Sequence, residues 1–372
     1  MSLSPSHVRD TAEDLVRHGD DHALQVAVVG DGEVLVDVAV GRKVPDAPAD
    51  GVAAQPVDRY SLFPVFSVSK SVTALTALRF VDRGAIGFGT PIAEVWQEFG
   101  VHQKHDITLG EVLSHTAGLS RLPPTETVEE LCDWDRMVRA VECMTPIDRG
   151  IPAYHALTFG WIVGETIRRV ADDGRDFGEI MRAELTSDSA PDFWFGLPDE
   201  AEPRVVTVVR QNPPTDESPL AHALPARFGV SQTVYGHTDV RRACLPAVNG
   251  IGNAVTLAAI HADAASGASI STSLLAESTR RWSAGIDALM GTYVARGAGF
   301  YVSAPESHDE RQPFQPGSGA FGHPGSGGSL AWGDRQRGVG VAICRSKLTP
   351  SGWRDESMQR LIHAIGATLE SV

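Results

Sequence analysis

Segments with the pattern of β-strands lie at both ends of this chain of 372 residues, and helical patterns lie between them. Two Val- and Leu-rich runs within Ala23–Val40 flank Gly30-Asp31-Gly32, a combination that predicts a β-hairpin. Near the other end, Gly299–Val302, Ser329–Trp332 and Val339–Arg345 are also typical of strands. We therefore predict an α+β fold in which N- and C-terminal segments form one antiparallel sheet flanked by helices.

Helical periodicity predicts the layers that cover this sheet. Apolar residues recur at helical spacing in Pro5–Gly19, Ala254–Ala265 and Trp353–Leu369. The middle of the chain predicts helices at Phe63–Gly84, Thr108–Leu113, Val128–Val141 and Leu157–Val170, and loops at 45–58 and 198–247 apart from a β-like stretch at Arg204–Arg210. We expect residues 1–80 and 240–372 to form a sandwich lobe, residues 81–239 to form an inserted, mostly helical lobe, and the functional site to lie between the lobes.

Charge and composition argue against several classes of partner. The net charge of −15 disfavours nucleic acid and anionic membrane surfaces, because both are bound by clustered Lys and Arg. No apolar run approaches the roughly 20 residues of a membrane span. Residues 1–22 lack the basic and apolar regions of a secretory signal, so we expect a cytoplasmic protein. The four cysteines form no CxxC pair, which argues against a zinc cage or a disulfide scaffold.

The first group of residues suited to catalysis is Ser67-Val68-Ser69-Lys70. Positions i and i+3 share one face of a helix, so this spacing places the Ser67 hydroxyl beside the Lys70 side chain. A neutral lysine can remove the proton that makes serine a poor nucleophile. For this the pKa of the lysine must fall by about 3 units from about 10.4, and burial and a helix N-terminus both act in that direction.

A solvated serine and lysine on a helix face would show the same spacing. Two observations favour the catalytic interpretation. The preceding residues, Phe63-Pro64-Val65-Phe66, are apolar, which indicates that the serine emerges from a buried segment. Lys70 also lies within a strongly apolar helical pattern, in a chain that has only four lysines. No GxSxG motif offers another nucleophilic serine.

Two further groups of residues could supply catalytic contacts. The phenol of Tyr154 could act as a phenolate base or a proton shuttle if its pKa falls from about 10, although a packed tyrosine with a bonded hydroxyl is an alternative. The glycine-dense stretch 321–329 would allow the backbone to come close to a ligand, although a simple glycine-rich turn has the same composition. Pro324 in this stretch suits an edge strand, because proline has no N–H to donate.

Taken in order, Ser67-x-x-Lys70, Tyr154-x-x and His323-x-Gly325 resemble the motifs of the serine β-lactamase and penicillin-binding-protein superfamily. Two stretches support the resemblance, HTAGL at residues 115–119 and NGIGNA at 249–254. The residues that begin at Tyr154, YHALTFGW, most resemble the esterase branch, the class C β-lactamase-like or family VIII carboxylesterases. The resemblance covers residues 10–370 and implies the serine β-lactamase-like fold.

The resemblance implies a role for each residue that matches a motif. Ser67 would be the nucleophile that becomes acylated. Lys70 and Tyr154 would share the general base and general acid steps. The backbone N–H groups of Ser67 and Ser326 would form the oxyanion hole.

The substrate-binding residues implied by the resemblance are His323, Gly325 and His155, with Gly325 letting its strand come close to the substrate. Two positions depart from the β-lactamase pattern. Ala156 stands where those enzymes carry an asparagine that holds the amide side chain of the substrate, and His323 stands where they carry a lysine that helps bind its carboxylate. Both departures argue against β-lactamase and peptidase activity.

We therefore expect a serine carboxylesterase that acts on small-molecule esters through a covalent acyl-enzyme, with no metal or organic cofactor. The main alternative is an acyltransferase that passes the same acyl group to a small-molecule acceptor, and a product assay with candidate acceptors would separate the two. A β-lactamase or D,D-peptidase ranks lower. A non-catalytic binding module ranks last, because Ser67, Lys70 and Tyr154 are all present.

Overall fold

The longer strands lie toward the two ends of the chain, and most helices lie between them. The structure, a computed structural model, describes residues 5–44, 55–187, 190–210, 212, 215–217, 219–302, 314 and 319–370. The strands are β1 (Ala23–Gly30), β2 (Glu33–Gly41), β3 (Phe63–Pro64), β4 (Phe193–Trp194), β5 (Val209–Arg210), β6 (Ile251–Gly252), β7 (Ser283–Ile286), β8 (Tyr293–Arg296), β9 (Tyr301–Val302), β10 (Ala320–Pro324), β11 (Leu330–Asp334), β12 (Val339–Arg345) and β13 (Lys347–Leu348). The α-helices are α1 (Pro5–Arg17), α2 (Ser69–Asp82), α3 (Leu109–Leu113), α4 (Val128–Cys132), α5 (Trp134–Glu142), α6 (Thr158–Ala171), α7 (Phe177–Leu185), α8 (Gln232–Tyr235), α9 (Thr238–Arg242), α10 (Ala254–Ser266), α11 (Thr272–Ser278) and α12 (Glu356–Leu369).

One eight-stranded sheet joins the two ends of the chain, in the order β2-β1-β12-β11-β10-β9-β8-β7. The N-terminal strand β1 pairs with the C-terminal strand β12, so that Val28 lies opposite Val341. Every neighbouring pair in this sheet is antiparallel. The predicted α+β fold, with a sheet built from both ends, is therefore confirmed.

The predicted hairpin at the N-terminus is also present. β1 ends at Gly30 and β2 begins at Glu33, and the two residues between them, Asp31 and Gly32, have φ angles of 50° and 75°. Two positive φ angles in a two-residue loop match the twist of the flanking strands, and Asp-Gly adopts them readily.

Helices cover both faces of the sheet. On one face α1 packs against α12, and Val8, Leu15, Leu361 and Ile365 join the sheet residues in one apolar cluster. On the other face α10 packs against β1, β11 and β12, and a second cluster continues from there to α2 and α6. The division into lobes at 1–80 with 240–372 and at 81–239 stays a prediction. Among the described residues, no helix has both the length and the apolar character needed to cross a membrane.

The helix α2 lies at the centre of the second cluster. Every residue from Ser69 to Leu78 is buried, including Lys70. A helix that is buried on all sides must be enclosed by other elements, and α2 contacts α6, α7 and β10. The fold thus places the lysine of the first motif in an enclosed position.

Several predicted boundaries were wrong, for local reasons. The helix predicted at Phe63–Gly84 begins only at Ser69, because Phe63–Pro64 pairs with β6 as a short strand. The helix predicted at Val128–Val141 is divided into α4 and α5 at Asp133, whose side chain accepts the Arg136 N–H and caps α5.

The region predicted as loops, 198–247, contains the short helices α8 and α9 and 3-10 turns, and its strand is limited to Val209–Arg210. Pro324 does not lie on an edge strand, since β10 pairs with both β9 and β11. It is tolerated there because β9 pairs only with Phe321 and Gly322, so no N–H is missing at Pro324 on that side. Of the loop predicted at 45–58, residues 45–54 lie outside the described residues.

Candidate active site

Ser67 lies in a 3-10 turn, Phe66–Val68, directly before α2. Phe66 has a φ of 51°, a left-handed conformation that a bulky residue rarely adopts. Such backbone strain costs about 1–3 kcal/mol and persists only where the surroundings fix it. The ring of Phe66 is fully buried and meets the ring of Tyr235 edge to face, with the centroids 5.5 Å apart. This packing fixes the turn that presents Ser67.

Two side chains predicted from the sequence meet the Ser67 hydroxyl. The Tyr154 O–H donates a hydrogen bond of 2.9 Å to Ser67 Oγ. Lys70 Nζ lies 3.4 Å from the same oxygen and 4.7 Å from the centroid of the Tyr154 ring. The structure therefore brings Ser67, Lys70 and Tyr154 together.

Two backbone carbonyls hold the Lys70 amine. Nζ donates hydrogen bonds of 2.8 Å to the carbonyl oxygens of Ala156 and of Ala247. A neutral amine has two N–H bonds and one lone pair, so with both N–H groups on carbonyls the lone pair is left for the Ser67 proton. Ala156 has no side-chain amide to offer a substrate, but its backbone carbonyl contributes to the site by holding Lys70.

The surroundings of Lys70 favour this neutral form. Burial first, and then repulsion by the Arg296 guanidinium, hold the pKa of Lys70 well below its ordinary value. Desolvation acts in this direction because it penalises the charged ammonium. A lowered pKa is what Lys70 needs in order to act as a base near neutral pH.

The surroundings of Tyr154 have the opposite effect on its phenol. Burial is the largest influence and raises the pKa of Tyr154 above its ordinary value. The phenol therefore stays protonated near neutral pH, and the phenolate base considered from the sequence is disfavoured. The geometry supports a protonated Tyr154 that donates to Ser67.

His115 supports the segment that carries Tyr154. Its backbone carbonyl accepts the Ala153 N–H at 3.0 Å, and its Nδ1 accepts the His155 N–H at 3.0 Å. The rings of His115 and Tyr154 are 5.1 Å apart between centroids. The HTAGL stretch thus positions Tyr154.

His155 has a structural position rather than the predicted substrate contact. Its ring is fully buried, Nδ1 donates to the carbonyl of Ala153 at 2.7 Å, and Nε2 accepts the N–H of Leu119 at 3.1 Å. Both ring nitrogens are engaged by the backbone, and burial lowers the pKa of His155 to about 4. These contacts leave neither ring nitrogen to bond a substrate, contrary to the substrate contact that we expected from the sequence.

Gly325 brings the end of β10 against the segment that precedes Ser67. A Cβ at position 325 would lie 2.4 Å from the carbonyl oxygen of Val65, closer than any real contact. From the sequence we expected this glycine to bring its strand close to the substrate, whereas in the structure the close approach is to Val65. Among the described residues, neither the Ser67 N–H nor the Ser326 N–H has a hydrogen-bond partner, so both are available to an oxyanion.

His323 is a buried residue of β10, two positions before Gly325. Its Nδ1 donates to the Pro324 carbonyl at 2.7 Å, and within the described ranges its Nε2 has no partner. Its ring meets the ring of Tyr301 edge to face at 4.9 Å. Burial, and next repulsion by Lys70, hold the pKa of His323 well below its ordinary value, so mild acidification does not charge it.

Sequence reasoning missed the charged pair Arg296 and Asp287, which lies behind Tyr154. The two side chains are 1% and 0% exposed and are joined by an ion pair of 2.8 Å. The Arg296 guanidinium lies 5.4 Å from the centroid of the Tyr154 ring. An arginine within the otherwise apolar stretch from Tyr293 to Val302 was the available signal, but the pattern alone does not connect it to Tyr154.

The fold and the site together define a class, the serine hydrolases of the β-lactamase fold. The family model described as "Beta-lactamase" matches residues 8–365. The chain is 30% identical over 351 residues to "Esterase/beta-lactamase LipL" of Mycobacterium tuberculosis (strain ATCC 25618 / H37Rv), covering 87% of this chain and 76% of that protein. The chain therefore belongs to the β-lactamase family.

Solved structures agree with this assignment. A family VIII carboxylesterase superposes with a TM-score of 0.87 and 25% identity, covering 99% of this chain and 97% of that one. A penicillin-binding protein homologue from Caulobacter crescentus superposes with a TM-score of 0.83 and 29% identity, covering 98% and 97% of the two chains.

Replacement of Gly325 tests the close approach of β10 to the Ser67 segment. In Gly325→Ala the new Cβ must push β10 and Val65 apart, so we expect hydrolytic activity to fall at least about tenfold, on the scale of a misplaced catalytic group. Gly89→Ala is the matched control, because nothing lies within 4 Å of a Cβ there and the residue has no positive φ. Equal kcat/KM for the two variants in an ester assay would contradict the role of Gly325.

Proposed function

We propose that this protein is a carboxylic-ester hydrolase that works through an acyl-enzyme on Ser67. The observation that carries the proposal is the position of Ser67 Oγ, which accepts a hydrogen bond from Tyr154 and faces the Lys70 amine. A nucleophile, a base and an acid within hydrogen-bond reach form the arrangement that acyl transfer requires. The relatives named as esterases support this choice of reaction.

In the first step Lys70 acts as the base. Its lone pair takes the Ser67 proton while Oγ attacks the ester carbonyl carbon, which gives a tetrahedral oxyanion. The N–H groups of Ser67 and Ser326 would stabilise that oxyanion, a contribution that is commonly about 3–4 kcal/mol per donor. The Tyr154 O–H stabilises the negative charge that develops on Oγ.

In the second step the leaving alcohol departs. Collapse of the tetrahedral intermediate breaks the bond to the alkoxide, which takes the Tyr154 proton and leaves as the alcohol. Tyr154 recovers its proton from the Lys70 ammonium, whose amine is 4.7 Å from the ring centroid. Water then attacks the acyl carbon and gives a proton to Lys70. The bond between that carbon and Ser67 Oγ breaks, Oγ takes the proton back from Lys70, and the acid is released.

The surroundings of the site favour an uncharged ester over a β-lactam. His323 carries no charge, and Ala156 offers no side-chain amide. Tyr154 also belongs to an apolar cluster, whose other members are Ala153, Ala156, Leu220, Ala223, Leu224, Leu289 and Met290. Simple esters need neither a carboxylate nor an amide contact, so they fit these groups better.

The direct test of the nucleophile is Ser67→Ala. We expect ester turnover to fall at least about 1000-fold with the fold retained, since the hydroxyl that forms the acyl-enzyme is removed. Ser71→Ala is the matched control four residues away. Its hydroxyl donates to the Val68 carbonyl at 2.8 Å and bonds His261 Nε2 at 3.0 Å, so its loss lowers the melting temperature but spares turnover. Wild-type kcat in Ser67→Ala would rule out the mechanism.

The shared proton transfer is tested by a double-mutant cycle. We expect Lys70→Ala and Tyr154→Phe each to lower kcat about 100-fold or more. The double variant should lose much less than the product of the two, because residues that act as a unit are not additive. Strict additivity of the two losses would mean that Lys70 and Tyr154 act independently.

Substrate choice is tested by comparing a short-chain p-nitrophenyl ester with nitrocefin on one enzyme preparation. We expect kcat/KM for nitrocefin to be at least about 100-fold lower, because two missing contacts weaken its transition state by roughly 2–4 kcal/mol. Buried His323 gains no charge on mild acidification, so the gap should not narrow between pH 7.5 and pH 6. Comparable values would instead indicate a β-lactamase.

A further inference from the structure

Arg296 on β8 is a buried cation that the reaction steps above do not use. Its Nη2 forms the ion pair with Asp287 and also lies 3.6 Å from Met290 Sδ. Within the described part of the chain, its Nε and Nη1 have no hydrogen-bond partner. Burying a guanidinium that is only partly satisfied costs stability, so its position calls for a reason beyond packing.

Arg296 and Lys70 both lie against the Tyr154 ring. Arg296 Cζ is 5.4 Å from the ring centroid, and Lys70 Nζ is 4.7 Å from it. Two cations so placed repel each other, and the weak screening of a buried site strengthens the repulsion. A guanidinium does not lose its proton in a protein, whereas a buried lysine does. The repulsion is therefore relieved when Lys70 becomes neutral.

We propose that Arg296, held in place by Asp287, is a positioning residue of the reaction, whose fixed charge keeps the Lys70 amine neutral and ready to accept the Ser67 proton. This inference rests on the proposed function, because it takes Lys70 as the base. Arg296 acts through Lys70 and does not itself touch the reacting atoms.

The other titratable groups around Lys70 leave Arg296 as the influential charge. Burial lowers the pKa of the nearby histidines, so that they are neutral, and raises the pKa of Tyr154, so that it is protonated; the histidines are His115, His155 and His323. Asp287 contributes the opposing charge, but its Oδ1 accepts the N–H groups of Leu289 and Met290, both at 2.9 Å, and its Oδ2 meets Arg296. Besides burial, repulsion by Arg296 is what lowers the pKa of Lys70.

The four lysines of the chain make a direct titration practical. Protein labelled with 13C at lysine Cε should give four NMR signals, and Lys70→Arg identifies the signal of Lys70. The test variant is Arg296→Met combined with Asp287→Asn, which removes both charges so that neither is left buried and unpaired. We expect the pKa of Lys70 to rise by about one pH unit in this variant.

The kinetics should follow the titration. Lys70 is the base only when neutral, so activity falls as the pH drops through its pKa, and a raised pKa moves this acid limb of kcat/KM upward by the same amount. On the acid side kcat/KM should fall about tenfold. Asp287→Asn alone keeps the guanidinium and removes the opposing carboxylate, so its acid limb should not move to higher pH. Arg280→Met is the matched control. Arg280 also lies over an aromatic ring, that of Trp282, but it is exposed, so its loss should leave the acid limb unchanged.

The outcomes separate this inference from the proposed function. The NMR titration uses no substrate, so an unmoved Lys70 signal in the folded double variant would overturn the role of Arg296 whatever the esterase assay shows. If Asp287→Asn alone moves the acid limb upward as far as the double variant does, the Arg296 charge is not the cause and the inference fails. Absence of ester turnover in the wild-type protein would overturn the proposed function instead.

Discussion

The buried amine of Lys70 is the constraint on which the arrangement of this site depends. An ammonium without solvent is costly, so the protein either neutralises it or surrounds it with acceptors. Here two carbonyls, from Ala156 and Ala247, take two N–H groups, and burial lowers the pKa. The lone pair of the amine faces Ser67, and this geometry allows Lys70 to activate the serine.

The rest of the fold delivers these two carbonyls and the serine to one place. α2 supplies Lys70 from its buried first half, and the segment before α10 supplies Ala247. That segment is fixed to the serine segment at two points, since the Gly250 N–H donates to Ser69 Oγ and the Val65 N–H donates to the Gly250 carbonyl, both at 2.9 Å. The conformation of a turn and the charge state of a lysine are thus set by the same packing.

The sequence predicted those parts of the fold and of the site that depend on short local patterns. The strand and helix periods predicted the sheet from both ends, and a lysine in an apolar helix pointed to a buried, functional amine. The spacing of Ser67 and Lys70 placed them on one side of a turn, and the resemblance added Tyr154. Each of these features depends on residues that are close together in the sequence, or on the order in which the motifs follow one another.

Features that depend on contacts between distant segments could not be predicted in this way. His155 is adjacent to Tyr154 in sequence, yet both of its ring nitrogens bond to the backbone, at Leu119 and at Ala153. The direction of the Tyr154 pKa depends on its burial, and Arg296 lies 142 positions further along the chain. The left-handed φ of Phe66 is enforced by tertiary packing, so no local propensity indicates that α2 starts at Ser69.

The most direct test of the central claim is to trap the acyl-enzyme. Wild-type protein is mixed with an activated ester, quenched in acid within the first turnovers, and measured by intact mass and by a tryptic map. The account predicts one acyl group per chain on the peptide Tyr60–Lys70, with the acyl group located on Ser67 by fragmentation. Ester turnover with no acylated protein, or an acyl group on a different residue, would contradict it.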